Sequence, residues 1–96
     1  MNAREAGSLS LLLIAVLAAG CSPEQDCRNG IKQVRPRVDG AIGTGAHAEA
    51  REQITQAMLD LQQAEELAAA GDFEGCLAEL ESARVLLNKS QRTNQQ

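Results

Sequence analysis

The sequence predicts an all-α fold, a small three-helix bundle in which a kinked first helix covers an antiparallel αα-hairpin. Three observations predict it. Ala50, Ile54, Ala57, Met58, Leu61, Ala64, Leu67 and Ala68 recur at the spacing of one helix face. After Gly71-Asp72 a second stripe follows the same period: Phe73, Cys76, Leu77, Leu80, Ala83 and Leu87. A two-residue link between such helices sets them antiparallel. Ahead of both, Cys27, Ile31, Val34, Val38 and Ile42 step by four, three, four and four, giving a third apolar face to cover the pair.

Residues 1–20 belong to none of these helices. Leu9 to Leu17 is an apolar run behind a short head carrying Arg4, closed by Ala18-Ala19-Gly20. That is the layout of a secretory signal peptide, and it falls short of the about 20 residues a membrane-crossing helix needs. Arg4 is partly offset by Glu5, so the head is weakly cationic. Removing residues 1–20 leaves a mature chain of 76 residues, enough for one small domain.

The first helix opens at Ser22-Pro23-Glu24-Gln25: an N-cap, a proline at the first helical position, an acid in the first turn and a capping-box Gln. Pro36 would remove the bond to the Lys32 carbonyl, so the pattern predicts a kink or break near Arg35 and a helix in two pieces. Gly30 weakens the same segment. Gly40 to Gly45 then reads as a flexible turn, with Thr44 placed to cap the next helix. It is no phosphate loop, since no strand precedes it and no Lys-Ser/Thr pair follows.

The second helix spans about 46–70 and carries Glu49, Glu52, Asp60, Glu65 and Glu66 on its other faces. Gly71 ends it, and Asp72 caps a third helix from about Phe73 to Leu87. The helical domain is expected over 21–89. Residues 90–96, Ser-Gln-Arg-Thr-Asn-Gln-Gln, have no apolar content and are expected to form a loose tail.

Composition excludes several function classes. The net charge is −4, against the basic surfaces that nucleic acid selects, so no nucleic-acid partner is expected. Phe73 is the one aromatic residue, which leaves almost nothing for base stacking or aromatic cages. His47 is the one histidine, with no Ser or Cys paired to it by spacing, so a nucleophile–base couple is unsupported. Adjacent acids such as Glu65-Glu66 read as a solubilising surface. The chain is expected to be no enzyme and to need neither cofactor nor metal.

Leu17-Ala18-Ala19-Gly20-Cys21 resembles the lipobox of bacterial lipoproteins, with Ala18 where the family prefers Leu. The resemblance implies a diacylglyceryl group on the Cys21 thiol, cleavage after Gly20 and acylation of the new amino terminus. Ser22, a non-acidic residue after the cysteine, implies by the same resemblance an outer-membrane lipoprotein facing the periplasm. In a bacterium without an outer membrane it implies the outer face of the plasma membrane. If Cys21 carries lipid, Cys27 and Cys76 remain as a pair in an oxidising compartment. Closing that loop of about 50 residues is worth about 4 kcal/mol in loop-closure entropy, a useful staple for so small a domain.

The hairpin resembles a single tetratricopeptide repeat over residues 60–87. Ala64, Leu67, Gly71-Asp72-Phe73-Glu74, Cys76-Leu77, Leu80 and Ala83 fall where that repeat places its small and apolar residues. Cys76 stands where the repeat usually has Ala, and Asp60 and Gln63 replace apolar or aromatic residues. One repeat cannot bury its own face, so the first helix is expected to cover it, clamped by Cys27–Cys76.

Together these features imply a membrane-anchored module that binds or scaffolds another envelope protein, in the manner of small pilotin-type lipoproteins. A second expectation, a structural or stress-related envelope lipoprotein that works through the membrane itself, rests on Arg28, Lys32, Arg35 and Arg37, the one cationic cluster, close behind the anchor. Beside an acyl anchor such a cluster can hold anionic head groups at about 1 kcal/mol per charge. It can equally pair with the acidic second helix.

Overall fold

The computed structural model describes residues 22–95. Helix α1 runs Pro23–Ile42, α2 Ala48–Ala69 and α3 Phe73–Asn94. Ser22 caps α1 as expected, its Oγ accepting from the Gln25 amide at 3.2 Å. The Gln25 side chain does not close the capping box; it donates to Asn29 Oδ1 at 3.3 Å instead.

Helix α1 is one continuous helix, which corrects the expected break into two pieces at Arg35. The reason is where Pro36 stands. Pro36 and Lys32 are both exposed while Val34 and Val38 are 1% exposed. The carbonyl freed by the proline therefore lies on the wet side of the helix, where water replaces the lost bond. The helix also runs through Gly40 to Ile42, beyond the point where the glycine-rich turn was expected. Thr44 closes that end, its hydroxyl donating to the Ala41 carbonyl at 2.7 Å. It caps the helix behind it, not the one ahead.

The α2–α3 turn follows the sequence reading closely. Gly71 has φ +84°, a left-handed conformation that glycine adopts without strain. With the chain turned there, the Asp72 amide donates to Leu67 O at 2.8 Å and the Gly71 amide to Ala68 O at 3.1 Å. This pair of bonds is a Schellman closure of α2. Asp72 Oδ1 then accepts from the Gly75 amide at 2.9 Å and starts α3.

The core is built from one stripe of each helix. Cys27, Val34 and Val38 of α1 meet Ala57, Leu61 and Ala64 of α2 and Cys76, Leu80, Ala83 and Leu87 of α3. Leu80 is fully buried; removing a side chain of that size from water contributes about 1.5–3 kcal/mol. Ile31, Met58, Leu67, Phe73 and Leu77 pack against this centre from its edge. Ile42, placed on the inward face by its spacing, is 56% exposed because Ala41 takes the inward position at the end of α1 and packs against the core instead.

Three further positions depart from the sequence reading. Gly30 is buried at the α1–α3 crossing, where an added Cβ would stand 2.7 Å from Leu80 Cδ1. It is a contact residue more than a weak point. Asp60, assigned to an outer face, is 8% exposed and accepts from Ser82 Oγ at 2.6 Å and Gln56 Nε2 at 3.0 Å. The expected loose tail from residue 90 is instead helical through Asn94. Ser90 is 2% exposed and donates to Leu87 O at 2.8 Å, so a small hydroxyl satisfied within its own helix takes a core position without apolar bulk.

Candidate functional site

The short connections make α1 antiparallel to α2, and α2 antiparallel to α3, so α1 and α3 run parallel. Three pairs fix the register between α1 and α3: Cys27 with Cys76, Gly30 with Leu80, and Arg37 with Asn88. One end of the bundle therefore gathers the α1 and α3 N-termini and the Gly71 turn. The other gathers the α1 and α3 C-termini and the residues before α2.

The first end is closed by the Cys27–Cys76 disulfide, whose Cα atoms are 5.9 Å apart. Both cysteines are 0% exposed. Arg28 lies beside them, with its guanidinium carbon 5.8 Å from the centroid of the Phe73 ring, within cation–π range. The same guanidinium donates to Glu24 Oε2 at 3.0 and 3.1 Å, one turn back on α1. The disulfide joins the start of the covering helix to the start of the second hairpin helix, which is where a staple between α1 and the hairpin has to act.

The four cations of α1 do not converge on one site. Arg28 is held by Glu24 and Phe73, Arg35 pairs with Glu65 of α2, and Arg37 donates to Asn88 Oδ1 at 3.0 Å. Lys32 and Arg37 have no acidic partner among the described residues. From Arg28 to Arg37 the helix advances by about 14 Å, and the intervening trough of about 410 Å³ is shallow and open. Exposed pairs of this kind contribute about 0–1 kcal/mol each; those of Arg35 and Arg37 reach from α1 to the hairpin. Cys21 lies outside the described residues.

Sequence reasoning missed a groove of about 540 Å³ at the opposite end. Ile54 and Leu87 form its floor, Pro36 and Ala41 one wall, and Gln91 and Asn94 the other. Asn94 Oδ1 also accepts from the His47 amide at 3.0 Å, tying α3 to the start of α2. The signal that could have found it is the amide-rich run after Leu87, whose i, i+4 positions Ser90 and Asn94 continue the inward stripe in polar form.

No protein family, curated protein or solved structure matches this chain. Among the described residues, no three His, Cys, Asp or Glu side chains stand close enough to hold a metal ion. His47 is exposed and serves as the residue before α2. None of the described helices is long and apolar enough to cross a membrane.

Proposed function

We propose that this protein is a small, lipid-anchored, non-catalytic helical module of the bacterial envelope that binds or scaffolds another envelope protein. The observation that carries the reading is the run Leu17-Ala18-Ala19-Gly20-Cys21, an apolar segment ended by small residues directly before a cysteine. The fold adds a geometric consequence. Ser22 is already the N-cap of α1, so an anchor on Cys21 would adjoin the folded body with no spacer between them. Each buried methylene contributes about 0.8 kcal/mol, and a protein with three acyl chains stays in its leaflet. Ser22 favours the outer membrane, facing the periplasm, as the site of residence.

Intact-mass spectrometry of the protein purified from membranes tests the anchor. The expected product starts at Cys21 and carries a diacylglyceryl group and an amide-linked acyl chain. An unmodified Cys21 thiol, or a chain still holding residues 1–20, would overturn it. Crosslinking in membranes followed by affinity capture tests the partner, and recovery of lipid with no protein argues against a binding module.

A second reading has the module grip anionic head groups through Arg28, Lys32, Arg35 and Arg37. The trough along Arg28, Lys32 and Arg35 favours it, and the engagement of Arg28 by Glu24 and of Arg35 by Glu65 weakens it. Charge reversal at Lys32, Arg35 and Arg37 should then abolish binding to anionic vesicles; unchanged binding removes this version.

A further inference from the structure

The bundle is electrically polarised along its length. Residues 22–32 and 59–83 make up the half with the disulfide, and they carry nine carboxylates against two cations. Residues 33–58 and 84–95 make up the half with the groove, and they carry six cations against three carboxylates; two of the six, Arg35 and Arg84, pair with Glu65 and Glu81 at the boundary, which leaves Arg37, Arg51, Lys89 and Arg92 at the groove end. The net charge of −4 thus hides a cationic end on an acidic protein. Opposite charge at a docking surface steers encounter and rejects wrong partners.

The groove lies in that cationic half and combines an apolar floor with one basic wall residue, Arg37, and the side-chain amides of Gln91 and Asn94. Gly40 lines it from inside α1. A glycine in a helix interior is less stable than alanine, and beyond its chain neighbours and the helix's own backbone nothing lies within 4 Å of where a Cβ would stand. Packing within the fold gives no reason for that glycine. What it does is leave the groove mouth open.

We infer that this groove docks a segment of a protein partner that carries apolar side chains flanked by carboxylates. The apolar groups sit against Pro36 and Ala41, above the buried Ile54 and Leu87, and the carboxylates meet Arg37 and the positive charge around it. The inference deepens the protein-binding reading by naming the partner's chemistry, and it needs no lipid. Along α1, Gly40 is about 27 Å from Ser22, so the groove lies at the end of the bundle away from residue 22.

The test uses full-length protein purified from membranes in a nonionic detergent. The probe is a short synthetic peptide alternating Leu and Ile with Asp and Glu, followed by amide chemical shifts. Shifts are expected at Arg37, Ala41, Ile54, Leu87 and Asn94, weakening as salt is raised. A peptide with Lys in place of every acid should leave those signals still. Gly40→Leu fills the mouth with a better helix former, so it tests the groove without threatening the fold; it should weaken binding by about tenfold or more, as should Arg37→Gln. Lys32→Gln, in the other half, should change nothing. Unperturbed groove amides, or full binding to the Gly40→Leu protein, would overturn the inference. So would anionic vesicles moving the same signals as strongly, because the surface would then be reading phosphate. A failed anchor test with intact peptide binding would leave the groove standing, and the reverse result would reject the groove alone.

Discussion

Gly30 and Leu80 meet where α1 crosses α3, so closely that a Cβ on Gly30 would stand 2.7 Å from Leu80 Cδ1 and 3.1 Å from Arg84 Nη2. Leu80 is 0% exposed and has little room to retreat. The covering helix therefore reaches the hairpin through a residue without a side chain. Gly40, ten residues on in the same helix, has no neighbour in its Cβ position.

This contrast predicts opposite signs for the same substitution. Alanine favours the helix by about 1 kcal/mol over glycine at either position. At Gly30 the overpacking cost of about 1–3 kcal/mol opposes that gain, so Gly30→Ala should be destabilising or at best neutral. At Gly40 nothing opposes it, and Gly40→Ala should stabilise by about 0.5–1 kcal/mol. Urea denaturation followed by circular dichroism measures both. A stabilising Gly30→Ala would show that α1 does not approach α3 at this point.

The disulfide gives a coupling prediction. Cys27 and Cys76 are separated by 49 residues in sequence and both are fully buried. Cys27→Ala and Cys76→Ala should each destabilise by about 4 kcal/mol, chiefly because the unfolded chain regains loop entropy. The double variant should cost little more than either alone, since one bond is lost in every case. Alanine is the better replacement here because serine would bury an unpaired hydroxyl. Markedly unequal single effects, measured under non-reducing conditions, would separate the two cysteines.

Much of this fold was legible because its signals are local. The stripes of α2 and α3, the Gly71 turn and the Ser22 and Asp72 caps are read from neighbouring residues, and each reappears in the structure. Ile42 and Asp60 were misplaced because helical period gives the direction of a side chain but not which residues at the edge of the stripe the neighbouring helices cover. The continuity of α1 past Pro36 depends on which side of the helix faces water, a tertiary fact. The groove stayed hidden for a related reason: its walls are the ends of α1 and α3, more than 40 residues apart in sequence, and only the register brings them together. Of the cationic cluster, the sequence identified the members but not their separate partners.

Asp60 and Ser82 make a polar contact at the edge of the α2–α3 interface, with Ser82 Oγ donating to Asp60 Oδ2 at 2.6 Å. Gln56 Nε2 satisfies the other oxygen. Hydrogen bonds to a charged group contribute about 1.5–3 kcal/mol when partly buried. Ser82→Ala leaves the carboxylate short of a donor and should destabilise by an amount in that range. Asp60→Leu combined with Ser82→Ala removes both polar groups and should cost less than Ser82→Ala alone. A double-variant cycle by chemical denaturation checks it; purely additive effects would mean the pair does not couple.

The last turns of α3 offer the sharpest test of where the domain ends. Sequence composition placed the boundary at residue 89, whereas Ser90 is 2% exposed and Asn94 Oδ1 accepts from the His47 amide. Deleting residues 90–96 would uncover Leu87 and leave the start of α2 without that acceptor. Asn94→Ala isolates the second effect and should cost about 0.5–2 kcal/mol, the usual range for a lost N-terminal acceptor. The deletion should cost more than Asn94→Ala, because it also exposes part of the Leu87 and Ile54 floor to water. Native-state hydrogen exchange gives the local readout. The His47 amide and those of residues 51–54 should lose protection in both variants, while those around Cys76 at the far end of the bundle should keep theirs. Unchanged protection at these amides would show that the C-terminal turns pack on nothing and that the domain stops at Lys89.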